Sequence, residues 1–173
     1  ILINTINMFN SFNEALVSSV FHISSIMTST GFSIGDINIY PVSCKVVVLI
    51  LMLVSACAGS TCGGFKISRL LICLKTIKRD VLKVIHPNSV RTITFEGKKV
   101  ESEVINSTCT FLYLYVFIII ILMILVGFNG YSFEVTTNAV FSTFANVGLS
   151  FEIGSFSMFS DFSKIVLSIG MIL

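Results

Sequence analysis

Ser25-Ile26-Met27-Thr28-Ser29-Thr30-Gly31-Phe32 is the stretch on which the reading of this chain turns: hydroxyl side chains closing on a glycine at the foot of a short helix. Glycine has no Cβ to forbid unusual dihedrals, so such a turn can aim its backbone carbonyls inward and replace an ion's hydration shell. Thr28, Ser29, Thr30, Gly31 and Phe32 would then form one wall of a cation-selectivity filter. Taken alone, the same residues read as an ordinary Ser/Thr-rich turn. The surroundings decide between the two.

Upstream, Ser11-Phe12-Asn13-Glu14 fits a capping box, in which hydroxyl and carboxylate satisfy the free amides of a helix start. Leu16, Val20, Ile23 and Met27 follow on one face, with Ser18, Ser19, His22 and Ser25 on the others. The spacing predicts a helix over 12–27 of only ~20 Å, too short for a ~30 Å hydrocarbon core. Such a helix enters a membrane and turns back, which is tolerated only where the turn is covered by protein or lines a polar passage. Its C-terminal end, with roughly half a negative charge, would face that passage and favour a cation. His22 reads either as a titrating sensor or as a hydrogen-bonded structural residue, the commoner case for a lone histidine on a packed helix.

Composition identifies the solvent. Hydrophobic residues make up 54% of the chain and charged residues 12%, with a mean hydropathy of +0.96, whereas soluble domains carry roughly 25% charged residues. An integral membrane protein in contact with the lipid bilayer is expected. The net charge of +2 hides an asymmetry, since seven of the eleven basic residues lie between Lys75 and Val104. Under the positive-inside rule the loop 76–104 is cytoplasmic, and this reading outweighs a nucleic-acid patch. Cys44, Cys57, Cys62, Cys73 and Cys109 sit mostly among apolar residues and read as packing groups, neither disulfides nor metal ligands.

A second apolar element begins at Lys45 and is interrupted. Gly59, Ser60, Thr61, Cys62, Gly63 and Gly64 divide it, and a helical pattern resumes from Phe65 through Leu74, giving a broken span over 45–75. Three glycines in six residues at membrane depth argue for a broken helix facing a cavity. A kink or a close helix contact is the structural alternative. Lys66 and Arg69 place positive charge just beyond the break, either obstructing a cation path or snorkelling at the cytoplasmic boundary. The amphipathic pattern continues to about Ile85 and stops at His86-Pro87-Asn88, before a hairpin-like segment around Glu96-Gly97-Lys98. The spans hold no paired carboxylates, no HExxH and no nucleophile with a base, so an enzyme is not expected.

Phe111 to Phe128 carries no charge and, with Ser107 to Thr110, predicts a membrane span over 107–128. A second short helix, 133–145, then leads to Asn146-Val147-Gly148-Leu149-Ser150, and a further apolar segment starts at 162. Both units run Ser-Phe, Glu, short helix, glycine turn, with the two glycines 117 residues apart. Such internal repeats are typical of channels and transporters. The expected fold class is therefore an all-α membrane protein built of repeats of span, re-entrant pore helix with filter loop, and span, as in potassium channels. The first residue is Ile1, and the last apolar run, Ile165 to Leu173, is too short to cross, so a piece of a longer protein is expected.

These motifs together resemble the Trk/Ktr/HKT superfamily of monovalent cation transporters, most closely its bacterial Trk branch. The residues that carry the resemblance are Val17 to Phe32, Cys57 to Ile67, His86 to Asn88 and the second filter. The family loop reads Gly-Gly-Cys-Ala-Gly-Ser-Thr-Gly-Gly-Gly; here Ser55, Ala56 and Cys62 depart from it, and Val147-Gly148-Leu149 looks more like the Ktr branch. The resemblance implies four pore repeats, of which residues 1–75 belong to the third and 105–173 to the fourth. It also implies potassium as substrate, bound at Thr30, Gly31, Val147 and Gly148, and no cofactor in this chain. Gating by the loop 59–64, a homodimer, a cytoplasmic nucleotide-binding regulatory subunit and a multi-pass location in the cell inner (plasma) membrane follow from the same likeness. A sodium-preferring or mixed cation transporter of that superfamily, and a non-conducting membrane scaffold, are the other readings.

Overall fold

A computed structural model describes residues 11–34, 37–54, 64–86, 92–95, 97–149, 151, 153 and 155–172. In chain order these form α1 (Phe12–Met27), a 3-10 turn (Ile37–Ile39), α2 (Val42–Leu53), α3 (Ile67–Ile85), a small hairpin of β1 (Thr94–Phe95) and β2 (Lys98–Lys99), α4 (Ser102–Gly127), α5 (Phe133–Phe144), a second 3-10 turn (Phe156–Met158) and α6 (Asp161–Ile172). The hairpin is antiparallel, with Thr94 opposite Lys99 and Phe95 opposite Lys98.

α4 is an uninterrupted 26-residue helix without proline, its charge confined to Glu103 in the first turn. At 1.5 Å per residue it is roughly 39 Å long, and by length and composition it can cross a membrane. Tyr113, Leu114, Phe117, Ile120 and Ile124 stand exposed along it. Against water such a face would be a liability; against hydrocarbon it is an ordinary outer surface.

Two apolar clusters organise the rest. The larger joins Tyr115, Ile119, Leu122 and Val126 of α4 to Ala139, Val140 and Phe144 of α5 and to Val166 and Leu167 of α6, with Phe65 and Phe159 closing its ends. Close approach of α6 to α4 depends on Gly170, where a Cβ would lie 3.0 Å from Leu122 Cδ1. The second cluster gathers Ile26, Tyr40, Cys44, Val48 and Met52 around Ala145, Val147, Leu149 and Phe151. Through it α2 packs against the end of α1 and the end of α5 at once.

α1 is inside out by the standards of a soluble protein. Its buried residues are Ala15, Ser18, Ser19, His22, Ser25 and Ile26, while Leu16 and Val20 are exposed. The polar face lies inward because its side chains find partners there, and an apolar stripe is the face that tolerates hydrocarbon. The capping box expected at Ser11 and Glu14 does not form: Ser11 makes no side-chain cap, and the first turn is closed by Ala15 N–H donating to the Ser11 carbonyl at 3.2 Å. Both residues are exposed, where water can satisfy the free amides. At the start of α5, by contrast, Ser132 Oγ accepts from Val135 N–H.

α2 stops at Leu53 and α3 starts at Ile67. The Leu53 carbonyl accepts two hydrogen bonds, from Phe65 N–H at 2.8 Å and from Tyr115 Oη–H at 3.2 Å. The two ends of the intervening segment are thereby tied to each other and to α4.

Candidate functional site

α1 and α5 end in three matching backbone bonds, to which the second turn adds a longer one from Gly148 N–H to the Ser142 carbonyl at 3.4 Å. After α1, the amides of Thr28, Ser29 and Thr30 donate to the carbonyls of Ser24, Ile26 and Ser25 at 3.0, 3.1 and 2.8 Å. After α5, the amides of Ala145, Asn146 and Val147 donate to Phe141, Thr143 and Ser142 at 3.0, 3.0 and 2.9 Å. Each bond is related to its counterpart by the same offset of 117 residues. Left-handed backbone recurs in register too: Ser29 has φ 53° and Asn146 φ 54°, Gly31 φ 75° and Gly148 φ 76°. Glycine occupies the second position of each pair because an L side chain there costs energy.

The two turns touch. A Cβ built on Gly31 would run into the carbonyl oxygen of Val147 and lie 3.7 Å from the Gly148 carbonyl carbon. Gly148 has no atom within 4 Å of its own Cβ position. The side chains mostly point away from this junction. Val147 and Leu149 are buried in the α2 cluster, Asn146 Nδ2 donates to the Met171 carbonyl at 3.2 Å, and the Thr28 and Thr30 hydroxyls bond each other. Phe32 is 68% exposed. What the two turns offer one another is therefore backbone, at the negative ends of two helices, a setting suited to a desolvated cation.

Side chains brace the exit of each turn. Ser25 Oγ donates to the Phe32 carbonyl at 2.7 Å, and His22 Nε2 accepts from Ile34 N–H at 3.2 Å. On α5, Asn138 Nδ2 donates to the Phe151 carbonyl at 2.6 Å. The bonds to Ile34 and Phe151 span twelve and thirteen residues, so no local spacing announces them.

Of the predicted loop, Gly59, Ser60, Thr61, Cys62 and Gly63 lie outside the described residues; Gly64 is buried beside Phe65. Phe65 stacks on Phe111 at 6.0 Å and packs against Tyr115, whose ring meets Phe144 at 4.9 Å. Lys66 is the residue preceding α3, and the Arg69 guanidinium sits 4.2 Å above the Phe111 ring. The aromatic seat and the doubly bonded Leu53 carbonyl escaped sequence reasoning, since Tyr115 and Phe111 read simply as members of an apolar span.

Tyr115→Phe keeps the ring and removes one bond to Leu53. The expected loss is about 1 kcal/mol, against about 3–5 kcal/mol for Tyr115→Ala. Thermal unfolding of the full-length protein in detergent measures both; equal losses would mean that the hydroxyl, and not the ring, holds the loop base.

The fold is that of a helical membrane transporter. A crystal structure described as the potassium transporter TrkH from Vibrio parahaemolyticus matches 99% of this chain and 37% of its own, with a TM-score of 0.89 at 25% sequence identity. The family model described as TrkH, cation transport protein, matches residues 5–173, and the chain belongs to that family, whose members are transporters and not enzymes. Among relatives, the Trk system potassium uptake protein TrkG of Escherichia coli K12 is 30% identical over 78% of this chain, and the Trk system potassium uptake protein TrkH of Halomonas elongata is 27% identical over 78%. The matched stretch is 28% of the length of each of those two relatives.

Proposed function

We propose that the full-length protein takes up potassium across the cell inner (plasma) membrane, and that this chain supplies two of the walls of its pore. The reading is carried by one observation: two glycine turns of equivalent backbone conformation, each at the C-terminal end of a short helix, packed backbone to backbone. On this reading α1 and α5 are the re-entrant pore helices of a third and a fourth repeat. Thr28 to Phe32 and Asn146 to Leu149 are their filters, with potassium held by the carbonyls of Thr30, Gly31, Val147 and Gly148. Burial of the Val147 and Leu149 side chains supports coordination by backbone rather than side chain.

The loop 59–64 gates the path from the cytoplasmic side, where Lys66 and Arg69 add positive charge. The Leu53 carbonyl joins the end of α2 to Phe65 and to Tyr115 of α4, which supports fixed helix ends on either side of a gate. The basic stretch 76–104 lies in the cytoplasm and meets a nucleotide-binding regulatory subunit, and the whole protein is a homodimer in the bilayer. Uptake of potassium and of sodium by the full-length protein in transport-deficient cells tests the proposal. Potassium uptake above background is expected. A preference for sodium would overturn the substrate, and absence of flux with normal membrane expression would favour a scaffold.

A further inference from the structure

We propose that His22 is a positioning residue for ion discrimination, fixing the exit of the first turn through the amide of Ile34; this deepens the transport reading above and rests on it. An amide N–H can only donate, so the His22 Nε2 that receives Ile34 at 3.2 Å carries a lone pair, and the ring proton sits on Nδ1. Nδ1 faces Tyr40 Oη at 3.0 Å and Ser18 Oγ at 3.3 Å, and those two oxygens are 3.0 Å apart. The ring is 1% exposed and lies edge-on to Tyr40. Its orientation is thus set from two sides, by a residue one turn back on α1 and by a tyrosine just ahead of α2.

The clamp is double. Ser25, three residues on from His22, holds the Phe32 carbonyl at 2.7 Å while His22 holds the Ile34 amide. The segment that leaves the filter is thereby gripped at two points from one helix face.

The second unit supports this independently. The 117-residue offset pairs Ile34 with Phe151 and His22 with Ala139, which cannot bond anything through its side chain. The neighbouring Asn138 reaches the equivalent residue at its other backbone group, binding the Phe151 carbonyl at 2.6 Å where His22 binds the Ile34 amide. Two helices with different residues thus brace the same residue of two equivalent turns, one at its amide and the other at its carbonyl. A shared sequence does not account for that, because the bracing residues are not shared.

The braces differ in chemistry. A neutral imidazole accepts from Ile34; a protonated one would set N–H against N–H and lose the bond. Asn138 does not titrate. Of the titratable groups around His22, the Tyr40 phenol bonds the ring directly; Cys44 and Lys45 lie on the facing α2, and Glu14 two turns back on α1.

The experiment compares His22→Gln with His22→Asn in the full-length protein reconstituted in vesicles, reading potassium over sodium flux. A glutamine oxygen reaches where Nε2 accepts, whereas an asparagine reaches only the Nδ1 side. His22→Gln is expected to retain the wild-type ratio, and His22→Asn to lower it about fivefold, equivalent to ~1 kcal/mol. Identical ratios for the two variants would overturn the proposal. Hydrogen exchange at the Ile34 amide separates this failure from that of the transport reading. Protection in wild type and His22→Gln but not in His22→Asn, without any cation flux, would leave the brace and remove the transport role. Equal protection in all three, with normal flux, would remove the brace and leave transport standing.

Discussion

Gly31→Ser is expected to cut potassium uptake by the full-length protein more than about tenfold and to erode its preference over sodium, while Gly148→Ser costs much less. Both glycines sit at left-handed φ, 75° and 76°, so any L residue at either position bears the same backbone penalty of roughly 1–2 kcal/mol. The difference lies in what a side chain meets. At Gly31 a Cβ occupies the place of the Val147 carbonyl oxygen, a backbone atom that cannot rotate aside, and relief requires the two turns to part. At Gly148 the same position is open to 4 Å. Uptake of each ion, normalised to membrane expression, measures the effect. Equal losses in the two variants would show that backbone strain governs the turns and that their contact does not.

Deletion of Gly59 to Gly64 is expected to raise potassium flux, on the order of tenfold if the loop favours the closed path by ~1.4 kcal/mol. The deletion is structurally tolerable because the Phe65 amide already bonds the Leu53 carbonyl at 2.8 Å, so α2 and α3 need not move to rejoin. Tyr115 would still anchor the same carbonyl from α4. A fall in flux with normal expression would mean that the loop supports the path instead of obstructing it.

A helical membrane protein of the cation-transporter family was legible in the sequence from the uncharged run of α4, the scarcity of charge and the glycine motifs. The inward face of α1 was not. Leu16, Val20, Ile23 and Met27 define a stripe by spacing, but spacing does not say which stripe is inside, and here Ser18, His22 and Ser25 are. Nor could the sequence place Ile34 against His22 or Tyr115 against Leu53, since such contacts depend on packing between distant segments. The capping box at Ser11 failed for a simpler reason: the pattern was present, but both side chains are exposed and water competes for the same amides. Contact between the two turns is likewise a property of the assembled backbone, visible in neither motif alone.

The inward polar face of α1 also bears on how the protein reaches its membrane. A lone helix presenting Ser18, Ser19, His22 and Ser25 to acyl chains would hold several unmatched polar groups, each costly to leave in hydrocarbon. Within α1 His22 finds only Ser18; Nε2 gains its partner when Ile34 arrives, and Tyr40 is packed when α2 is beside it. On the reading of α1 as a re-entrant helix, the smallest piece expected to settle in the bilayer is α1 together with its turn and α2, so insertion by whole units rather than helix by helix is the expected order.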